Sequence, residues 1–276
     1  MKRIVTIQDI SCFGKCSLTV ALPVISACGV EACPIPTAVL STHTGGFEGF
    51  TIHDLTKEIS PIAEHWKKLN IHFDGIYTGY LGSAEQLNIV SDFIDNFKKR
   101  DTIVFIDPVM GDHGRLYAGF DEGFAEKMAS LITKADVIAP NITEACYLLK
   151  IKYRDDFTDD EIKEMAKKLA SSGAQTVIIT GVRRMDKLGV IAYEKAKDSF
   201  IEYYRERIHD TFHGTGDVFA SVCSSALVKG FSVEKSIEIA TDFVVECILA
   251  TAEDKENHWY SVKFEKCIDS LVKRMF

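Results

Sequence analysis

GIYTGYLGSAEQLNIVSDFIDNFKKRDTIVFIDPVMGD, residues 75–112, is the stretch on which the fold turns. Its first apolar run, Gly75–Thr78, reads as a strand, and Ser83–Lys98 has helical spacing with Ser83 placed to cap its first turn. Thr102–Ile106 then returns as a second strand with no polar face. Two strands that are apolar throughout, joined by a helix, belong to a parallel sheet covered on both faces.

The same alternation extends in both directions. Upstream, Ile4–Ile7 reads as a strand and Lys15–Ala27 as a helix. Downstream come helix Glu122–Thr133, strand Val137–Ala139, helix Thr143–Leu149, helix Thr158–Ser171 and strand Gln175–Thr180. Asp159, Asp160 and Glu161 suit the positive end of the Thr158–Ser171 dipole. Leu188–Tyr193 and Ser199–Arg205 flank a polar turn and predict an antiparallel hairpin on the sheet edge. Helices Thr215–Lys229, Val233–Thr251 and Val262–Lys273 complete the pattern. With no repeat and no linker, residues 1–276 read as one three-layer α/β/α domain with a mostly parallel central sheet.

Composition narrows the function. The 276 residues are 46% hydrophobic and 26% charged, which excludes a disordered chain. A net charge of −8 disfavours nucleic acid, whose phosphates call for a basic surface. No run approaches the ~20 apolar residues of a membrane span; even Leu18–Val30 is broken by Pro23, Ser26 and Gly29. The opening MKRIVTIQDI reads as a strand and not as a signal peptide. The eight cysteines form no C-x-x-C pair, so free structural thiols in a reducing, cytoplasmic setting are expected.

In such sheets ligands collect beyond the carboxyl ends of the strands. Three features fall there or at a helix start. His213-Gly214-Thr215-Gly216-Asp217 leads straight into a helix; its glycines let backbone approach an anion, and the helix amides favour negative charge. A carboxylate beside that anion suits phosphoryl transfer, although a plain glycine turn would look the same. DPVMGD, Asp107 to Asp112, offers two carboxylates for a hard cation, or an ordinary turn. Pro140-Asn141 followed by Glu144 would equally serve as a helix cap.

Together with TGYLGSAEQ at Thr78–Gln86, HTGG at His43–Gly46 and the VIIT strand ending at Thr180, these motifs resemble the ribokinase-like superfamily. Within it they are most similar to the pyridoxal/pyridoxamine (vitamin B6) kinases, in the right order over nearly the whole chain. GTGD and DPV are shared across the superfamily, whereas GYLGS and HTG point to B6. The resemblance implies Asp217 as general base on the 5′-hydroxyl of the vitamer, with Gly214, Thr215 and Gly216 as the anion hole for the γ-phosphate. It implies Asp112 and Glu144 as the pair that positions Mg²⁺ on ATP, supported by Asp107, with room for a monovalent cation. Asn141, Thr180 and Tyr117, with Glu144 and Gly216, match the nucleotide side. Thr44 and Tyr80 match contacts to the pyridine ring, and a homodimer is the family's usual assembly.

Asp9 departs from the pattern, since the better-known pyridoxal kinases carry serine at the end of the first strand. A carboxylate there suits the ring hydroxyl, a protonated ring nitrogen or the amine of pyridoxamine. It equally suits the exocyclic amine of hydroxymethylpyrimidine, the substrate of the related thiamin-pathway kinases. A non-catalytic B6-binding protein is the third alternative. His43–Asp54 reads as a lid or as a plain surface loop, and Trp66 and Trp259 as core or interface. His53, His65, His72 and His209 are assigned no role.

Overall fold

The computed structural model of the protein describes residues 1–208, 212–253 and 258–276; His209 lies outside them. Its spine is a nine-stranded sheet. Five parallel pairings join β1 (Arg3–Ser11) to β2 (Glu31–Leu40) on one side and to β4 (Gly75–Thr78) on the other, then run through β5 (Ile103–Ile106) and β8 (Val137–Ile138) to β9 (Thr176–Arg184). Antiparallel strands close both edges. β3 (Ile52–Asp54) lies on β2, while β10 (Lys187–Glu194) and β11 (Ser199–Glu206) extend the sheet beyond β9.

Strand residues alternate between two cores. Val5, Ile7, Ile76, Val104, Ile106, Ile138, Val177 and Ile179 face one helical layer. That layer holds α2 (Thr56–Lys68), α3 (Ala84–Phe97), α4 (Glu122–Leu131), α5 (Ile142–Leu149) and α6 (Asp159–Ser171). Ile4, Tyr77, Phe105, Val137 and Ile178 face the other layer, α1 (Leu18–Ala27), α7 (Thr215–Val228), α8 (Val233–Ala252) and α9 (Ile268–Met275). The two-residue period of a strand thus fills two cores from one run of apolar residues, as expected of a three-layer fold.

The expected elements are present with four corrections. The first helix begins at Leu18 and not at Lys15, because Lys15 and Ser17 have φ of 35° and 53°. The strand expected to end at Thr180 continues to Arg184, turning at Gly181 (φ 73°), so the predicted edge hairpin is the outer part of a three-strand meander. The last helix begins only at Ile268, after a short 3₁₀ turn at Phe264–Cys267. Finally, β2, β3 and α2 were not anticipated. Pro34 and Pro36 hide β2 in the sequence, since proline cannot donate within a sheet. They are tolerated because β3 pairs only with Ala38–Leu40, leaving the outer side of both prolines free of a partner strand. All eight cysteines are free thiols, and among the described residues no helix is long and apolar enough to cross a membrane.

Candidate active site

β1, β4, β5, β8 and β9 run parallel, so their carboxyl ends lie at one end of the sheet, and α7 packs over β4 and β5. Gly214 caps α7 in the left-handed region (φ 79°) and supplies no side-chain cap. A Cβ there would sit 2.6 Å from the Lys15 carbonyl oxygen, so only glycine fits. By contrast α3, α4, α5, α6 and α8 all have their first amides capped by Ser83, Asp121, Asn141, Thr158 and Ser232. Among the described residues the start of α7 at Thr215 and Gly216 carries no side-chain cap, an arrangement that suits an external anion.

Asp217 lies one residue further on. Burial pushes its carboxyl up to about 7, the nearby Asp9 charge adds to the rise, and an accepted hydrogen bond from the Ser17 amide opposes it. Asp9 is itself buried on a β-bulge between Gln8 and Ile10. Burial raises its proton affinity, while the hydroxyls of Ser17 and Ser11 (2.9 Å) donate to it. Ser17 thus bridges both carboxylates, its amide on Asp217 and its hydroxyl on Asp9. Its left-handed backbone is the strain that permits this.

Asp107 and Glu144 form the second half of the cleft. Asp107, 8% exposed, is pushed well above the carboxylate range by burial, with the charges of Glu144 and Asp217 adding to it. Glu144 is pushed up to about 8 by burial against the backbone donors that hold its charge. Its oxygens accept from the Met110 amide (3.1 Å) and the Asn141 amide (2.9 Å), while Asn141 Oδ1 accepts from the Glu144 amide (2.9 Å). The capping-box reading is therefore correct, and it ties α5 to the loop after β5. Asn141 also donates to the Gly111 carbonyl (2.8 Å), and Thr180 lies beside it on β9.

Asp112 is exposed on a small flap made of β6 (Gly111–Asp112) and β7 (Arg115–Leu116). Tyr117, at the end of that flap, is held by burial and by the charges of Glu144, Asp112, Asp107 and Asp217 far above its usual proton affinity. The Tyr117 amide donates to the Met110 carbonyl (2.9 Å) and the Met110 amide to Glu144, so the flap is tied to the Glu144 carboxylate. Burial and the Asp9 charge raise Tyr80 likewise, and its ring packs against Phe120 at 5.4 Å.

Thr44 is exposed on the loop between β2 and β3. That loop is seated by rings on either side of it. His43 Nδ1 accepts from the Gly45 amide (3.1 Å), so Nε2 carries the proton and donates to the Tyr260 carbonyl (2.7 Å). His43 and His213 rings stand 4.8 Å apart, as do Phe47 and Trp259. A Cβ on Gly45 would fall 2.5 Å from His213, and one on Gly46 2.7 Å from Trp259. Trp259 is thus a contact of the loop at 38% exposure, and not a core residue.

The family model for phosphomethylpyrimidine kinase matches residues 18–260. The chain belongs to the phosphomethylpyrimidine kinase family. A crystal structure of a candidate phosphomethylpyrimidine kinase from Bacteroides thetaiotaomicron, in an orthorhombic form with pyridoxal, is 43% identical, with a TM-score of 0.94 over 98% of this chain and 95% of that one. A pyridoxine/pyridoxal/pyridoxamine kinase of Bordetella avium is 26% identical over 90% of this chain and 85% of its own length. A hydroxymethylpyrimidine/phosphomethylpyrimidine kinase of Haemophilus influenzae is 27% identical over 94% and 97%. The resemblance carried by the motifs is borne out, and the chain is a kinase of the pyridoxal/phosphomethylpyrimidine kinase group.

Sequence reasoning missed two residues of this site. Ser17 gave no motif; only its fixed distance before the α1 apolar run hinted at a cap, and it caps nothing through its side chain. His213 precedes the GTGD motif with no pattern of its own, although its ring packs on His43 of the loop that carries Thr44.

Proposed function

We propose that the chain transfers the γ-phosphate of ATP to the 5′-hydroxymethyl group of pyridoxal, pyridoxamine or pyridoxine. The observation that carries this reading is Asp217, a carboxylate whose proton affinity is lifted to about 7 at the mouth of an uncapped helix. The substrate hydroxyl loses its proton to Asp217 as its oxygen bonds to the γ-phosphorus, and the bond to ADP breaks. Amides of Gly214, Thr215 and Gly216 hold the charge that develops on the transferring group.

The donor set fits magnesium carried by the nucleotide. Among the described residues no three His, Cys, Asp or Glu side chains form a ready-made metal group. Mg²⁺ commonly takes one or two carboxylates, with phosphates and water completing its shell. Glu144 and Asp112, with Asp107 behind them, would supply those carboxylates; when bound, the ion neutralises charge on the phosphates. Asn141, Thr180 and Tyr117 border the nucleotide in this reading, and Thr44, Tyr80 and Asp9 the ring.

The pyridoxal in the Bacteroides thetaiotaomicron crystal favours a B6 vitamer over the pyrimidine alcohol. A panel of pyridoxal, pyridoxamine, pyridoxine, hydroxymethylpyrimidine and a sugar, each with Mg-ATP and read by ADP release, tests it. The highest kcat/KM is expected for a B6 vitamer. A preference of tenfold or more for hydroxymethylpyrimidine would replace this substrate with the thiamin-pathway one, and no turnover with any alcohol would point to a binding protein.

A further inference from the structure

Phe120 stands between the two halves of the cleft and takes no part in the proposed chemistry. It immediately precedes Asp121, whose side chain caps α4 by accepting from the Phe124 amide (2.8 Å). The Phe120 ring stacks on that of Phe124 at 4.0 Å and 8°, and Phe124 is buried in the first core at 5% exposure. Phe120 is thus a wall anchored to the core through α4. The same ring meets the Tyr80 ring at 5.4 Å, on the side assigned to the alcohol. Its amide donates to the Tyr117 carbonyl (3.1 Å) and so closes the turn that carries Tyr117 on the nucleotide side.

Both ends of this contact are tied down. The Tyr117 amide donates to the Met110 carbonyl (2.9 Å), and the Met110 amide to Glu144 (3.1 Å). Next to Tyr80, the Gly82 amide donates to Gln86 Oε1 (2.7 Å). Gln86, 0% exposed, in turn donates to the Thr37 carbonyl (3.1 Å) and to Thr56 Oγ1 (2.9 Å). With that loop pinned, the Tyr80 ring is the part an alcohol can order, and Phe120 is what the ring leans on. An alcohol that fixes the Tyr80 ring also takes freedom from Phe120 and the Tyr117 turn, so the nucleotide no longer supplies that ordering. The geometry points to Phe120 as a positioning residue through which the alcohol and the nucleotide each bind more tightly in the other's presence. This inference rests on the reading that Tyr80 borders the alcohol, and Tyr117 and Glu144 the nucleotide.

The test is a binding cycle on the full chain. Calorimetry reads the Kd of the non-hydrolysable nucleotide AMP-PNP with Mg²⁺, with and without saturating pyridoxine, or hydroxymethylpyrimidine if the substrate panel selects it. The scale of one aromatic pair sets the expected tightening at about three- to tenfold. The alcohol's own Kd should shift by the same factor when nucleotide is added, because coupling is reciprocal. Phe120→Leu keeps an apolar residue on Phe124 and loses the flat face toward Tyr80, so the factor should fall below about 1.5, whereas Phe120→Tyr should keep it. Tyr80→Leu breaks the same contact from the other side and keeps the test open if Phe120→Leu does not fold. A residue that merely stapled the start of α4 would change the nucleotide Kd alike with and without alcohol, leaving the factor as in the parent. A parent factor below about 1.5, or a parent-like factor in Phe120→Leu or Tyr80→Leu, would overturn the proposal. Failure of the underlying reading looks different and takes the proposal with it: Tyr80→Leu would then leave the Kd of the alcohol alone unchanged.

Discussion

Asp217→Asn separates chemistry from folding in one substitution. The side chain keeps its shape and loses its charge. As a base it should be nearly inert, so kcat falls by about 10²–10⁴ while KM for ATP is held. Stability should move the other way. Folding raises the Asp217 value from 3.8 to about 7, so folding favours the neutral carboxyl. Below 3.8 nothing is lost. As pH climbs from there the unfolded chain ionises while the buried group keeps its proton, so stability falls, and the penalty is complete above about 7. A rise of three units corresponds to about 4 kcal/mol at most. Asparagine escapes it, so the variant should melt several degrees above the parent at pH 8, at about 2–4 °C per kcal/mol, and at the same temperature near pH 4. The parent's kcat/KM for the alcohol should fall about tenfold per pH unit below 7, and the variant's profile should be flat there. Thermal melts and initial rates across pH 4–9 read both effects. A variant that is less stable than the parent at pH 8, or that keeps its turnover, would refute the assignment of a desolvated base.

Other changes probe the rest of the cleft. Glu144→Gln leaves one oxygen for the two amides that the carboxylate now serves, so stability should drop by about 1–3 kcal/mol, read by denaturant unfolding, and the apparent Mg²⁺ requirement rise, read by magnesium titration of the rate. Asp9→Asn removes the buried charge next to Tyr80, and kcat/KM for pyridoxamine should fall relative to pyridoxal; an unchanged ratio would exclude Asp9 from vitamer choice. Gly45→Ala places a methyl 2.5 Å from the His213 ring and should lift the loop between β2 and β3. ATP hydrolysis without alcohol should then rise, along with KM for the alcohol, since a looser loop admits water.

Much of this molecule is written locally. The apolar runs Gly75–Thr78, Thr102–Ile106 and Gln175–Thr180 can only be strands covered on both faces, because nothing in them tolerates solvent. The strand tips then place Asp107, Asn141 and Thr180 at one edge, and the glycines of Gly214-Thr215-Gly216 mark the start of α7 as one that backbone can open to a ligand. Caps such as Asn141 with Glu144 are legible for the same reason: donor and acceptor lie three residues apart. What stayed hidden was decided by partners far away in the chain. β2 looks unlike a strand because of Pro34 and Pro36, and only the reach of β3 explains why those prolines cost nothing. The bend at Ser17 follows from two carboxylates, eight residues before it and 200 after it, that both need a donor. His43, His213 and Trp259 meet over loop glycines that no local pattern links. The proton affinities of Asp217 and Glu144 exist only once their surroundings exclude water, because charge is destabilised by burial and burial is a property of the assembled fold.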